Sequence, residues 1–361
     1  MAPRSSWSDD LMLAGATALA TLAIYRHVCR SEPPVEREQG AAPAVAETQD
    51  RGRLAETPLQ IPAAGWKDVL LRTYQQIDED RLLATAAGVV FYGLLAIFPA
   101  ITALVSSYGL FADPSTISSN LQSLALMLPE GSFAVVQDQV ARVLAKGSST
   151  LGLTFGIGLL IAIWSANAGM KAVFDALNVV YEEKEKRGFI KLNLMSLSFT
   201  IAALISIMLM VGAVVLVPLL LQQLGLGIGA ELIVRFGRWP ILLLLLLVAL
   251  AVLYRYGPSR TEPRWQWLSV GAIAAAVLWL ICSSLLSWYL ANFGNYSATY
   301  GSLGAAIGLM TWMWMSAIIV LCGAELNSEI EHQTAIDSTA GRRKPLGARG
   351  ARMADTVGRA S

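Results

Sequence analysis

Six stretches of this 361-residue chain are too apolar and too long for most folds: residues 82–111, 151–174, 192–221, 240–256, 267–290 and 302–326. A run of about 20 apolar residues crosses the roughly 30 Å hydrocarbon core of a bilayer. In that solvent a segment must satisfy its own backbone N–H and C=O groups, which selects the α-helix. The chain therefore reads as all-α, a polytopic membrane helix bundle with six core transmembrane helices. Composition agrees, with 55% apolar and 15% charged residues, unlike an ordinary soluble domain.

A seventh apolar segment, residues 11–25, is shorter. Asp9 and Asp10 precede it, while Arg26, His27 and Arg30 follow, the reverse of a secretory signal. It reads as an extra N-terminal membrane segment, an anchor within residues 1–30, with an interfacial helix as the alternative. Residues 31–65 are rich in Pro, Ala, Glu and Arg and read as a disordered linker. The membrane domain is expected over 66–331. It opens on an amphipathic helix, because Trp66, Val69, Leu70, Thr73, Tyr74 and Ile77 share one helical face. Residues 332–361 read as a basic, disordered tail.

Within the spans, Pro99 removes a backbone donor and predicts a kink in the first, and Pro218 interrupts the third. Pro240 suits the first turn of the fourth. Between the first two spans, Ile117, Leu121, Leu124 and Leu128, then Phe133, Val136, Val140 and Leu144, predict two short amphipathic helices.

Lys and Arg resist translocation, so their distribution sets orientation. Placing the N-terminal end of the first span in the cytoplasm puts 21 Lys and Arg on that side and leaves 4 in the opposite loops, Arg142, Lys146, Arg235 and Arg238. Both ends of the six-span core are thus expected in the cytoplasm.

The second span carries polar residues that fall in register. Trp164, Asn167, Lys171, Asp175 and Asn178 occupy an arc of about 80° on a helix of 100° per residue. Polar groups in a bilayer are costly, so such a face turns toward protein or water. Two readings stay open. Lys171 can snorkel to the interface and pair with Asp175 at i, i+4. Alternatively these groups join a network with Asp80 and Arg81 at the start of the first span and Glu325 at the end of the sixth, all at one depth. Such a network is a candidate substrate-binding site.

Enzyme chemistry finds little support. Three cysteines (Cys29, Cys282, Cys322) have no metal spacing, and His27 and His332 stand near opposite ends. No HExxH, phosphate-cradling GxxxxGK or nucleophile elbow is present. No catalytic residue, metal site or cofactor is expected, and no nucleic-acid partner.

Several segments carry a resemblance. DRLLATAAGVVFYGLLAIFPAI, from Asp80, includes Phe91, Tyr92, Phe98 and Pro99. Trp164, Ser165, Asn178 and Tyr181 lead into a basic loop with Arg187 and Phe189. LYRYGP ends at Pro258, YLANFGNYSATYGSLGA contains Asn295, Tyr296, Tyr300, Gly301 and Gly304, and WMWMSAIIVLCGAELNSEIE closes at Glu331. Over about residues 66–331 the chain resembles the YihY/BrkB family of bacterial inner-membrane proteins. The resemblance implies a six-span all-helical fold whose activity is largely unassigned, with links to serum resistance and to lipid or lipopolysaccharide export. An old ribonuclease BN label in that family lacks its ligands here. Asn295, Tyr296, Tyr300, Gly301 and Gly304, with Phe98 and Pro99, form a structural or mouth motif, and Gly304 with Gly308 also suits close helix packing.

Two functions remain in competition. Transport or export of a small solute or lipid rests on the polar second span and the proline-interrupted helices. A non-transporting envelope scaffold or assembly factor, homo-oligomeric or bound to envelope partners, rests on the amphipathic pair, linker and tail.

Overall fold

A computed structural model describes residues 51–109, 137, 138, 141, 153–223, 228–293 and 303–360. Their regular structure is helical, with a single isolated bridge, Pro263 to Thr339, and no strand among the described residues. The helices are α1 (Ala63–Glu79), α2 (Leu82–Gly109), α3 (Leu153–Val180), α4 (Phe189–Gln223), α5 (Ile228–Tyr256), α6 (Ser269–Phe293), α7 (Leu303–Gln333) and the short α8 (Arg352–Asp355). Single 3-10 turns at Pro58–Gln60 and Trp265–Trp267 precede α1 and α6.

Three segments are long and apolar enough to cross a membrane, Phe189–Met210, Trp265–Leu290 and Ala306–Gln333. A fourth arises if α1 and the start of α2, bent by 60°, count as one. The outward surface is apolar, as lipid requires: Leu160, Ile205, Leu209, Leu244, Leu285 and Trp288 all stand exposed. Together these features describe an integral membrane protein.

The bend between α1 and α2 has a local cause. Arg81 takes a left-handed conformation, φ 48°, which only a few per cent of non-glycine residues adopt. Its carbonyl accepts from Ala84 and Thr85 N–H at 2.8 and 3.0 Å and so starts α2, while Asp80 N–H closes α1 on the Gln76 carbonyl at 2.9 Å.

Small residues set the packing. α2 lies along α3 more extensively than any other described pair, and α7 touches α1, α2, α3, α6 and α8. The core joins Ala86 of α2, Ala176 and Leu177 of α3, Tyr254 of α5, Ala275 of α6 and Ala324 of α7. At the α6–α7 crossing a Cβ on Gly271 would stand 2.0 Å from the Gly323 carbonyl oxygen, so both positions require glycine.

The structure corrects several sequence expectations. α5 begins at Ile228, three turns before Pro240, which therefore sits inside the helix. Pro99 lies inside α2, where the sequence places it. α7 runs on to Gln333, two turns past the apolar run, because its last polar residues are buried against other segments.

Residues 51–65 and 334–360 are ordered and packed together, not disordered. Arg53 is buried and donates to the carbonyls of Gln333, at 3.2 Å, and Gly358. Thr334 Oγ1 donates to the Ala55 carbonyl at 2.7 Å. Arg349 donates to the carbonyls of Ala335, at 2.6 Å, and Ala354, while Met353 and Ala354 are buried. Composition misleads here because the arginines and hydroxyls satisfy backbone carbonyls instead of facing solvent. The anchor at 11–25 and most of the 113–144 loop lie outside the described residues.

Candidate functional site

The aligned polar face of α3 divides between three environments. Asn167 is fully buried, its Oδ1 accepts from Thr200 Oγ1 of α4 at 3.2 Å, and its Nδ2 has no acceptor. One turn on, Lys171 Nζ lies 5.6 Å from the ring centre of Trp164, a cation–π distance. Trp164 is itself exposed. No ion pair joins Lys171 to Asp175 among the described residues, and Asp175 is exposed. The expected i, i+4 pair is therefore replaced by a cation over an aromatic face.

Asn178, at the end of the same arc, is a buried cross-link. Its Oδ1 accepts from Ser259 N–H at 2.7 Å and its Nδ2 donates to Glu185 Oε2 at 3.1 Å. Glu185 in turn takes three bonds of 2.7–2.8 Å from Arg187, two from its guanidinium and one from its backbone N–H. Burial pushes this carboxyl up, yet the Arg187, Asn178 and Ser259 bonds outweigh it and hold Glu185 down at about 2. Arg187 also donates to the carbonyls of Tyr256 and Gly257. One amide and one guanidinium thus tie the α3–α4 connection to the α5–α6 connection.

Glu325 of α7 is fully buried, and neither carboxylate oxygen has a hydrogen-bond partner. It feels the negative charges of Asp80, Glu329 and Glu182. Arg81, its expected partner, is exposed and does not reach it. The arginine that arrives at this end of α7 is Arg72 of α1, whose Nε lies 2.5 Å from Glu329 Oε2 and whose Nη2 donates to Gln333 Oε1 at 2.8 Å. Beside the bend, burial pushes the Asp80 carboxyl up to about 6.

Sequence reasoning missed the most buried charge pair among the described residues. Arg260, in the α5–α6 connection, meets Glu331 at 2.7 and 3.0 Å, with its guanidinium 4.0 Å from the Tyr181 ring centre. Asn327 accepts from Gly271 N–H at 2.8 Å and Ser328 donates to the Val180 carbonyl at 3.2 Å. The available signal was ELNSEIEHQ at the end of α7: its polar residues occur too densely for one solvated face.

A cavity of about 440 Å³ opens where the α3–α4 and α5–α6 connections meet the N-terminus of α4. The Asn178–Glu185–Arg187 link forms its support. Among the described residues no group of three or more His, Cys, Asp or Glu side chains is placed to hold a metal ion. Of the mouth motif, Pro99 is half-buried in α2 and Gly304 is buried at the start of α7, while Phe98 lies on α2 with its side chain outside the described set. Asn295, Tyr296, Tyr300 and Gly301 lie outside the described residues.

A family model described as "Virulence factor BrkB" matches residues 73–346. The chain is 31% identical over 255 residues to the ribonuclease-like protein YfkH of Bacillus subtilis, covering 67% of this chain and 88% of that protein. It is 26% identical over 278 residues to a UPF0761 membrane protein of Methylibium petroleiphilum, covering 75% of this chain and 63% of the relative. A UPF0761 membrane protein of Tolumonas auensis is 26% identical over 262 residues, with 71% and 83% covered. No solved structure matches.

Proposed function

The chain belongs to the BrkB family of membrane proteins, and from that premise we propose that it moves a small solute or a lipid across the bacterial inner membrane. α2 to α7 are read as six spans, with the α3–α4 and α5–α6 connections and both core termini on the cytoplasmic side, where Lys and Arg concentrate. The observation that carries this reading is Glu325, a fully buried carboxylate without a hydrogen-bond partner in an apolar bundle. Ionisable groups within a span are expensive to keep and mark pathways for ions, protons or substrates. Asn167, about 20 Å along α3 from its end at Val180, adds an unpartnered amide donor inside the bundle.

Reconstitution into vesicles tests it. Solute flux or lipid scrambling above empty liposomes is expected, reduced by Glu325→Gln and unchanged by Lys184→Gln in the exposed loop. Folded protein without any flux across solutes and lipids sinks the proposal.

A second reading, an envelope scaffold, is favoured by one surface. Leu59 and Tyr74, 93% and 76% exposed, flank the face built by residues 51–62 and α1. Crosslinking in native membranes at these positions tests it, and a clean monomer without crosslinked partners counts against it. The word ribonuclease stays with the Bacillus subtilis relative, and no hydrolytic role is proposed for this chain.

A further inference from the structure

The 440 Å³ cavity falls within the size range of ligand sites, about 300–1,000 Å³, and its wall is lopsided in charge. Lys186, Arg187, Lys191, Arg255 and Arg260 line it, against one carboxylate, Glu262. Four of these cations do pair with carboxylates. Lys186 meets Glu183, Arg187 meets Glu185, Arg255 meets Glu262 at 3.5 Å, and Arg260 meets Glu331. Glu183, Glu185 and Glu331 do not line the cavity, so apart from Glu262 the charged groups at its wall are guanidinium and ammonium.

Two of these groups have donors left over. The Arg260 side chain is 1% exposed and its Nε–H has no acceptor, and Arg255, 11% exposed, keeps a buried Nε–H in the same condition. A buried donor on a charged group is costly to leave unmade. Both residues line the cavity, so an anion seated there faces these guanidinium groups. Lys191, exposed and without an ion pair among the described residues, adds an uncommitted charge.

The backbone contributes in the same sense. Gly188 caps α4, its carbonyl accepting from Leu192 N–H at 3.0 Å, and both Gly188 and Lys191 line the cavity. The first-turn N–H groups of a 35-residue helix therefore meet the cationic wall, and a helix N-terminus favours negative charge.

The geometry points to a binding site for a phosphate-bearing anion, closed by Arg255 and Arg260 on one side and the N-terminus of α4 with Lys191 on the other. Guanidinium forks match phosphate oxygens in shape as well as charge, and basic pockets between membrane helices suit phospholipid headgroups. A headgroup and free phosphate share this chemistry. The inference goes beyond transport and does not depend on it.

Calorimetric titration of the full chain in neutral detergent tests it with three probes: dihexanoyl phosphatidic acid, dihexanoyl phosphatidylcholine and inorganic phosphate. Phosphatidic acid is expected to bind at least about tenfold more tightly than the zwitterion, and Arg255→Gln to weaken it about tenfold or more. Lys191→Gln is expected to weaken it severalfold, and Lys344→Gln, exposed and elsewhere, to leave it unchanged. If Arg255→Gln fails to fold, Lys191→Gln decides alone. Inorganic phosphate matching phosphatidic acid assigns the site to the free ion, and much weaker phosphate assigns it to a headgroup; both support the site. Binding of neither phosphate probe by folded protein, or binding unaltered in Lys191→Gln, overturns it. Vesicles that show no flux while phosphatidic acid still binds remove transport and leave the site standing.

Discussion

Arg260 and Glu331 share two hydrogen bonds, at 2.7 and 3.0 Å, in a pair of side chains no more than 1% exposed. Ser338 Oγ donates a third bond to Glu331 Oε2 at 3.0 Å. The pair joins the α5–α6 connection to the end of α7. Removing one partner leaves an uncompensated buried charge, which costs about 3–5 kcal/mol. Glu331→Gln is therefore expected to lower the thermal midpoint in detergent sharply. Replacing both residues by apolar ones of similar volume should recover much of the loss. An unchanged midpoint in Glu331→Gln would refute this account.

Gly271→Ala is expected to prevent folding or to force α6 and α7 apart, because the new methyl meets the Gly323 carbonyl at 2.0 Å and Asn327 at 2.5 Å. Gly88→Ala, with nothing within 4 Å of its Cβ position, should be neutral or stabilising by up to about 1 kcal/mol. Melting both variants side by side separates close packing from general intolerance of substitution.

Two carboxylates outside the spans give stability opposite pH dependences. Glu185, held at about 2 against 4.5 when unfolded, stabilises the fold above pH 4.5, and that contribution fades as pH falls toward 2. Asp80, pushed up from 3.8 to about 6 by burial, acts the other way. Its cost is absent below pH 3.8, grows between 4 and 6, and is complete above. Asp80→Asn should thus raise the midpoint above pH 6 and leave it unaltered below pH 4, while Glu185→Gln should flatten the acid limb. Equal shifts at both pH extremes would contradict the assignment for Asp80.

The arc on α3 predicts unequal costs along one helix. Asn178→Ala breaks bonds to Ser259 and Glu185 and leaves a buried N–H unmet, an expected loss of about 1–3 kcal/mol. Lys171→Ala removes one cation–π contact with an exposed Trp164, about 0.5–1 kcal/mol. Denaturation of both variants ranks them, and a larger loss at Lys171 would restore it to the centre of a polar network.

Apolar run length made the helical membrane fold legible, because a bilayer leaves the backbone few alternatives. The 28-residue α3 begins within two residues of the expected start. Pro240 misled, since a proline that suits a first turn is also tolerated within a long helix whose freed carbonyl finds other partners. The site was less legible. Equal helical angle put Lys171 and Asn178 on one face, but angle carries no information on which neighbour each meets. Arg72 and Arg260 stand 257 and 71 residues from their carboxylate partners, and no local periodicity reports a separation of that kind. Glu325 is singled out by a depth shared with Asp80 and Arg81, yet Arg81 is exposed and takes its left-handed backbone at the α1–α2 bend.

The embrace of residues 51–62 by residues 334–360 has a consequence in time. Arg53 waits for the carbonyl of Gly358, 305 residues later in synthesis. At 5–20 residues per second that is about 15–60 s, through which the early arginines must stay hydrated. The clasp at the bundle's polar end can fasten only after the ribosome has passed residue 358.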